Sequence, residues 1–212
     1  MTTAAEAPEQ RKAARSARRA ERRRREILDA ALRVFDRVGF EAASTRLIAQ
    51  EADVSEGTIY NYFPDKGELY IQALKENSGL AVLVEQLRRA DASVETLLDE
   101  VADWRAAHLP AQAALMELWA EVMSRPKLRQ RYHDAVWAPA AEAFEAAIRG
   151  AEAHGERFAA PAPIAARIFM SGLLGLALMS LADERLGDVL RRGGEIDARH
   201  LLWRGILAER ER

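Results

Sequence analysis

A helical repeat of apolar residues constrains this chain more than any other feature of its sequence. Ile27, Ala31, Val34 and Phe35 recur at intervals of three and four residues, which is the spacing of one face of an α-helix. Such helical intervals dominate the chain, and no segment shows the apolar–polar alternation of a half-buried strand. The pattern predicts an all-α fold in which each helix buries one face.

Capping residues divide the first part of the chain into four predicted helices. Gly39 supplies a C-terminal stop for the first, and Ser44 and Ser55 offer N-caps for two short helices. Asp65 caps a fourth helix, which we predict to run without a break over residues 66–89. Two short helices joined by a tight turn, behind one supporting helix and ahead of a long one, predict a helix-turn-helix module. Further helices are predicted at about 93–108, 110–124, 126–154, 164–183 and 196–209.

The charges are distributed unevenly. The net charge is −2, yet residues 1–25 carry nine Arg or Lys against three Glu, a balance of +6. Residues 26–66 carry four basic side chains against eight acidic ones, and residues 67–212 carry 18 against 22. A basic arm on an acidic body is typical of a tail that meets polyanions, although such a run can also be a solvated leader.

Several classes of protein are excluded or disfavoured. The absence of cysteine excludes disulfides, thiolate zinc sites, iron–sulfur clusters and cysteine nucleophiles. The four histidines lack metal-ligand spacings, and no phosphate loop or nucleophile motif is present, so we expect no metal, no cofactor and no enzyme activity. The longest uncharged stretch of the apolar C-terminal part, residues 168–182, is short for a membrane span, and residues 1–26 do not resemble a signal peptide. We therefore expect a soluble, cytoplasmic protein with no membrane partner.

The segment from Thr45 to Lys66 resembles the signature of the TetR family, the tetracycline-repressor-type transcriptional regulators. The pattern Gly-Thr-Ile-Tyr-x-Tyr-Phe-x-x-Lys begins at Gly57, and the resemblance covers roughly residues 22–70.

Two positions depart from the family pattern. Asp53 stands in the turn where the family commonly has glycine, and Gly67 stands where an acidic residue is usual. Aspartate tolerates a left-handed backbone better than most residues, so we expect the turn to form.

The resemblance implies an N-terminal three-helix helix-turn-helix domain followed by a larger C-terminal helical domain. We predict a disordered basic arm at residues 1–21, a DNA-binding domain at residues 22–67, and an effector-binding and dimerisation domain at residues 68–212.

Side chains on and around the two short helices are the candidate DNA contacts. Hydroxyls and ammonium groups near a groove position a protein on phosphates, whereas outward amide, guanidinium and carboxylate groups read base edges. We expect Tyr62 and Lys66 to meet phosphates, Asn61 to pair with adenine and Arg46 with guanine. The full predicted set is Arg22, Arg23, Arg24, Arg25, Thr45, Arg46, Ser55, Glu56, Gly57, Thr58, Tyr60, Asn61, Tyr62 and Lys66.

An aromatic and methionine stripe in the middle helices is the candidate effector pocket. Any single member of this stripe is more often ordinary core, but the resemblance implies a cavity in this region. Few charges interrupt the stripe, so we expect a small apolar or aromatic effector. The candidate residues are Trp104, His108, Met116, Trp119, Met123, Tyr132, His133, Trp137 and Phe144.

The last two predicted helices are the candidate dimer interface, as the resemblance implies. Small residues on the penultimate helix would let helix backbones approach closely, although a buried helix of a monomer has the same composition. Symmetric half-sites favour a dimer. The candidate interface residues are Ile168, Ser171, Gly172, Gly175, Met179, Leu202 and Ile206.

Together these features predict a homodimeric transcriptional repressor that leaves a palindromic double-stranded operator when a small effector binds. Two alternatives remain open: a helical carrier or interaction protein that uses the basic arm on anionic surfaces, and an enzyme with no recognisable motif.

Overall fold

The computed structural model describes residues 8–89, 118–183 and 185, and its regular elements there are helices, as the all-α prediction requires. The chain forms two compact units, Met1–Ala73 and Leu74–Arg212. The boundary falls inside a helix, a few residues beyond the predicted boundary at residues 67 and 68. The predicted helix at 93–108 and the last one at 196–209 lie outside the described residues.

The first helix, α1, spans Pro8–Ala42 and bends at Gly39, where φ is 75°. The prediction of a disordered arm is therefore wrong for residues 8–21, which are helical. Alanine, arginine and glutamate are strong helix formers, and ion pairs one turn apart join Arg25 to Glu21 at 3.1 Å and Arg22 to Glu26 at 2.9 Å. Interspersed alanine and glutamate thus let a basic run remain helical.

Two short helices follow, α2 at Thr45–Glu51 and α3 at Glu56–Tyr62. The predicted caps are confirmed: the Ser44 side chain accepts from the Leu47 amide, and the Ser55 side chain accepts from the Thr58 amide, both at 3.1 Å. Each bond satisfies an amide that a helix N-terminus leaves unpaired.

The core of the first unit lies between α1, the two short helices and the start of the next helix. Ile27 and Phe35 from α1, Ile48 from α2 and Ile59 from α3 are almost completely buried. The Phe35 ring packs edge-on against Tyr70 at a centroid distance of 4.6 Å. This core fixes α2 and α3 on α1.

The predicted fourth helix is two helices, α4 at Lys66–Asn77 and α5 at Leu80–Arg89. The expectation of one unbroken helix is wrong because Gly79 adopts a φ of 66°. The Ser78 hydroxyl donates to the Lys75 carbonyl at 2.9 Å and accepts from the Leu80 amide at 3.2 Å. A left-handed glycine beside a capping serine ends one helix and starts the next.

The second unit continues with helical residues 118–124, here α6, then α7 at Pro126–Tyr132 and α8 at Ala138–Ala153. A π-helical turn, His133–Trp137, joins α7 to α8, so the predicted long helix from Pro126 is confirmed with this local widening. The last described helix, α9, spans Ala162–Ala182.

One hydrophobic cluster of the second unit is built by α5, α8 and α9. Leu83 and Leu87 from α5 meet Phe144 and Ile148 from α8, and Phe169 from α9 completes the cluster. Alanines on α8 and α9 lie between these side chains and allow close packing of the helices.

Candidate nucleic-acid interface

The turn between α2 and α3 has the tight geometry of a helix-turn-helix. Asp53 adopts a φ of 51°, which confirms that aspartate supports the left-handed position where the family commonly has glycine. The Val54 amide donates to the Ala49 carbonyl at 3.0 Å across this turn. The turn and the two serine caps therefore hold α3 in one orientation.

Helix α3 buries one residue and exposes most of its polar side chains. Ile59 is fully buried, whereas Tyr60 is 51% exposed and Glu56, Gly57 and Asn61 are also exposed. A Cβ atom at Gly57 would meet only Ser55 Oγ, at 3.8 Å, so packing within the chain does not require glycine there. Thr58 and Tyr62 are half-buried at the edges of this face.

A hydrogen-bonded chain links the start of α2 to this exposed face. The Thr45 hydroxyl donates to Glu56 Oε1, and the Tyr60 hydroxyl lies 3.2 Å from Thr45 Oγ1. Because Thr45 has one hydroxyl proton and gives it to the carboxylate, the tyrosine is the donor in the second bond. Arg46, the next residue of α2, is exposed.

Glu51 joins α2 to α1. Its carboxylate accepts from Arg33 at 3.0 Å and lies 3.4 Å from the Arg37 guanidinium. These bonds, with the Arg33 bond as the largest contribution, lower the pKa of Glu51. Sequence reasoning missed this bridge, although the one-turn spacing of the two arginines on the face of α1 is its signal.

Lys66 is held within the chain instead of projecting as a free cation. Its Nζ donates to the backbone carbonyls of Phe40 at 2.7 Å and Ala43 at 2.9 Å, and it lies 3.4 Å from the Glu41 carbonyl. It also lies 4.4 Å from the centroid of the Phe40 ring. The expected phosphate contact is therefore corrected, because the three ammonium protons already serve the end of α1.

The four predicted arm arginines do not share one role. Arg22, Arg23 and Arg25 are exposed and form ion pairs on the helix surface. Arg24 instead donates to Gln72 at 3.1 Å and lies 5.7 Å from the centroid of the Phe63 ring. Four consecutive residues of a helix point in different directions, and Arg24 is the one that points toward the core. The prediction of Arg24 as a DNA contact is therefore corrected.

Some residues of the predicted effector pocket lie elsewhere. Phe144 is buried in the core of the second unit, 5.7 Å from Phe169 between ring centroids, as the core alternative expects. His133 is exposed, and its Nδ1 lies 3.0 Å from Asp134, which lowers the pKa of that carboxylate. The helix directs one of these side chains inward and the other to the surface, and their part in an effector pocket stays a prediction.

Four other pocket candidates lie on α6 and at the π-helical turn. Tyr132 is buried, burial raises its pKa to about 12, and its ring packs edge-on against Trp137 at 6.4 Å. Trp119 and Met123 are half-buried on α6. The candidates Trp104, His108 and Met116 lie outside the described residues.

Two buried polar atoms of the second unit have no hydrogen-bond partner among the described residues: the Trp119 indole nitrogen and the Gln86 carbonyl oxygen. The sequence analysis did not identify Gln86. The signal for it is that a polar residue lies on α5 between Leu83 and Leu87, which are both buried. An unsatisfied buried polar group costs about 1–3 kcal/mol, so both atoms call for partners beyond those described.

The predicted interface residues on α9 occupy its outer face. Ile168 is 51% exposed, Met179 is 57% exposed, and Ser171 is exposed, while Gly172 and Gly175 are half-buried. The opposite face, including Phe169, enters the core. Leu202 and Ile206 lie outside the described residues.

Within the described ranges, no group of three or more His, Asp or Glu side chains could hold a metal ion. The same part of the chain contains no helix long and apolar enough to cross a membrane.

A capped helix-turn-helix with an exposed polar second helix is the architecture of a DNA-binding module. Residues 27–73 match the family model described as "Bacterial regulatory proteins, tetR family". The DNA-binding module of this chain is therefore similar to that of TetR-family regulators over residues 27–73.

Curated relatives align with part of the chain. It is 48% identical over 52 residues to the HTH-type transcriptional repressor KstR of Mycolicibacterium smegmatis, covering 24% of this chain and 26% of KstR. It is 33% identical over 121 residues to the HTH-type transcriptional regulator BetI of Ectopseudomonas mendocina, covering 53% of this chain and 62% of BetI. The chain thus spans about a quarter to three fifths of these relatives.

A solved structure matches over a greater length. The complex of SmeT with triclosan superimposes with a TM-score of 0.69 at 22% identity, covering 88% of this chain and 92% of the other. SmeT is the repressor of the Stenotrophomonas maltophilia multidrug efflux pump SmeDEF. At this identity the likeness shows a shared fold.

Proposed function

We propose that this protein is a homodimeric transcriptional repressor that binds a palindromic operator and is released by a small apolar or aromatic effector. One observation carries the proposal: α3 buries Ile59 and presents Glu56, Gly57, Tyr60 and Asn61 to solvent. A seven-residue helix with this division, held by a tight turn, fits the major groove of B-DNA.

The exposed side chains suggest distinct roles in the groove. Asn61 can form a bidentate pair with adenine, and Arg46 can form one with guanine. The hydroxyls of Thr58 and Tyr62, at the margins of the exposed face, are suited to phosphate oxygens. Ser55 already bonds Thr58 through their hydroxyls at 2.8 Å, so we assign it to capping.

The outer face of α9 is the proposed dimer surface. Ile164 and Ile168 are one turn apart and half exposed, and Met179 continues the apolar surface along the helix. A second copy would cover these side chains and provide the second recognition helix that a palindrome requires.

The second unit is the proposed effector-binding part. The Trp119 indole nitrogen and the Gln86 carbonyl oxygen have no partner among the described residues and offer one donor and one acceptor. The buried Tyr132 and the half-buried Trp137 offer aromatic surface. A π-helical turn at this place is a further indication, since such turns often occur at functional sites. The structural likeness to SmeT bound to triclosan supports an aromatic ligand.

Selection of duplexes from a random pool by the full-length protein tests the operator proposal. We expect enrichment of an inverted repeat with two half-sites separated by one or more helical turns. Binding that is equally strong to every duplex would contradict it, and would favour a protein that uses its basic arm on anionic surfaces.

Triclosan is a suitable first probe for the effector proposal. It should change tryptophan fluorescence and weaken binding to the selected duplex over one concentration range. Linkage requires that the duplex weaken triclosan binding by the same factor. If triclosan and other aromatic compounds perturb the tryptophans without changing duplex affinity, the ligand does not regulate DNA binding.

A further inference from the structure

The hydrogen-bonded chain of Tyr60, Thr45 and Glu56 links the buried start of α2 to the exposed face of α3. The Tyr60 hydroxyl donates to Thr45, and the Thr45 hydroxyl donates to Glu56 Oε1. Thr45 is 9% exposed, so the middle member of the chain is fixed by its surroundings. Glu56, in contrast, is exposed at the first turn of α3.

This arrangement leaves Glu56 with an oriented acceptor. An ionised carboxylate can accept several hydrogen bonds and can donate none. Oε1 is held by Thr45, and the other oxygen has no hydrogen-bond partner in the described part of the chain. Glu56 thus presents an acceptor at a fixed place on the surface proposed to face bases.

Base edges in the major groove differ in what they offer to such an acceptor. Hydrogen-bond donors there are the amino groups of cytosine and adenine. The adenine amino group lies between two acceptors, its own N7 and O4 of thymine, which repel a carboxylate. The cytosine amino group has an acceptor on one side and a C–H group on the other. A carboxylate is therefore best matched to cytosine.

We propose that Glu56 determines sequence specificity by accepting a hydrogen bond from the exocyclic amino group of a cytosine in each half-site. Thr45 is the positioning residue that holds the carboxylate, and Tyr60 orients the threonine hydroxyl. The inference rests on the proposed operator binding and adds to it the identity of one base and the residue that reads it.

The negative charge of Glu56 gives this role a distinctive signature. A carboxylate close to DNA is repelled by phosphates, so it costs affinity while it contributes discrimination. Replacing it by an amide should raise affinity for unrelated duplexes and weaken the preference for cytosine. A residue that only stabilised the fold would not move these two quantities in opposite directions.

The experiment is selection from a random duplex pool with the full-length wild type, Glu56→Gln, Thr45→Val and Thr45→Ser. The wild type should prefer cytosine to thymine at one position per half-site by about tenfold, the range of a single good base contact. Glu56→Gln should shift this position toward adenine, which an amide pairs well. Thr45→Val should lose most of the preference, and Thr45→Ser should retain it.

Asp36→Asn is the matched control for charge, because Asp36 is exposed on α1, outside the proposed surface. It should leave every base preference unchanged. Thermal unfolding of each variant identifies any loss of fold, and Glu56→Gln at an exposed site keeps the test decisive if Thr45→Val unfolds.

Two results would overturn the inference in distinguishable ways. If the wild type enriches an inverted repeat and Glu56→Gln enriches the same repeat with the same cytosine preference, Glu56 does not read the base. If the wild type enriches no repeat, operator binding itself fails, before any variant is compared.

Discussion

Lys66 joins the end of α1 to the start of α4. Its ammonium donates to the carbonyls of Phe40, in the last turn of α1, and Ala43, just after that helix ends. The Phe40 ring beneath the ammonium adds a cation–π contact. One side chain therefore fixes the bend after Gly39 and the position of the helix-turn-helix on its supporting helix.

We predict that Lys66→Met lowers the free energy of unfolding by about 2 kcal/mol, since hydrogen bonds to charged groups contribute about 1.5–3 kcal/mol. Urea unfolding at neutral pH measures the change. Lys127→Met, at an exposed lysine of α7, is the control and should change stability little. Unchanged stability of Lys66→Met, with a salt dependence of DNA binding lowered by about one, would restore the phosphate contact.

Tyr132 should make stability depend on pH in the alkaline range. Burial raises its folded-state pKa from 10 to about 12, so the unfolded chain ionises first and stability falls as pH rises from about 10 toward 12. Below pH 10 the contribution is constant. The loss should approach about 2 kcal/mol at the upper end.

Tyr132→Phe is the comparison that isolates this effect, because other alkaline titrations are common to both proteins. The wild type should lose stability relative to Tyr132→Phe between pH 10 and 12 in urea unfolding. Parallel curves for the two proteins would show that this phenol titrates normally.

The basic arm is helical, because residues 8–21 form the N-terminal part of α1. Basic residues spaced by four, three, four and three positions share one exposed face of the helix: Arg11, Arg15, Arg18, Arg22 and Arg25. Because α1 is continuous up to its bend at Gly39, these positive charges lie at a fixed position relative to the helix-turn-helix. A helical arm can therefore add phosphate contacts at a set distance from the half-site.

We predict that a variant lacking residues 2–21 binds DNA more weakly and with a shallower salt dependence. Each lost phosphate contact should reduce the slope of log K against log salt by about 0.9. Salt titrations of duplex binding measure this slope.

A second variant replaces Arg11, Arg15, Arg18 and Arg19 by Gln, which removes positive charge and keeps good helix formers at these positions.

The two variants separate charge from helix. If the glutamine variant behaves like the truncation, charge carries the effect. An unaltered salt slope in both would show that the arm does not contact DNA.

For the whole molecule, the outer face of α9 is the surface proposed to bring two DNA-binding units together. We predict that Ile168→Glu shifts the protein to monomers and weakens operator binding by at least about tenfold, because a buried unpaired charge costs several kcal/mol at an interface. Sedimentation velocity and duplex titration measure the two effects. The fold should survive, since Ile168 is 51% exposed within one chain.

Val82→Glu is the matched control, because Val82 is an apolar side chain of α5 that is 55% exposed. It should leave the oligomeric state unchanged. If Ile168→Glu remains dimeric, the interface lies on another surface; if Val82→Glu also dissociates the dimer, the interface extends to α5.

The sequence alone determined the elements whose causes are local. Ser44, Ser55 and Asp65 cap the helices that they were predicted to cap, and Asp53 takes the left-handed turn. Each outcome depends on a few neighbouring residues, so spacing and side-chain chemistry are sufficient. Apolar periodicity likewise predicted the helical fold, because a helix must bury one face.

Tertiary structure decided which side chains bond to residues far away in the sequence. Lys66 meets carbonyls near residue 40, Arg24 turns to Gln72, and Thr45 bonds Glu56. No local pattern specifies such pairs, since they arise only when helices pack. The break at Gly79 was also missed, because apolar periodicity continues through it while the left-handed φ of Gly79 interrupts the helix. Spacing thus selects the face of a helix, and packing selects the partner of each residue on it.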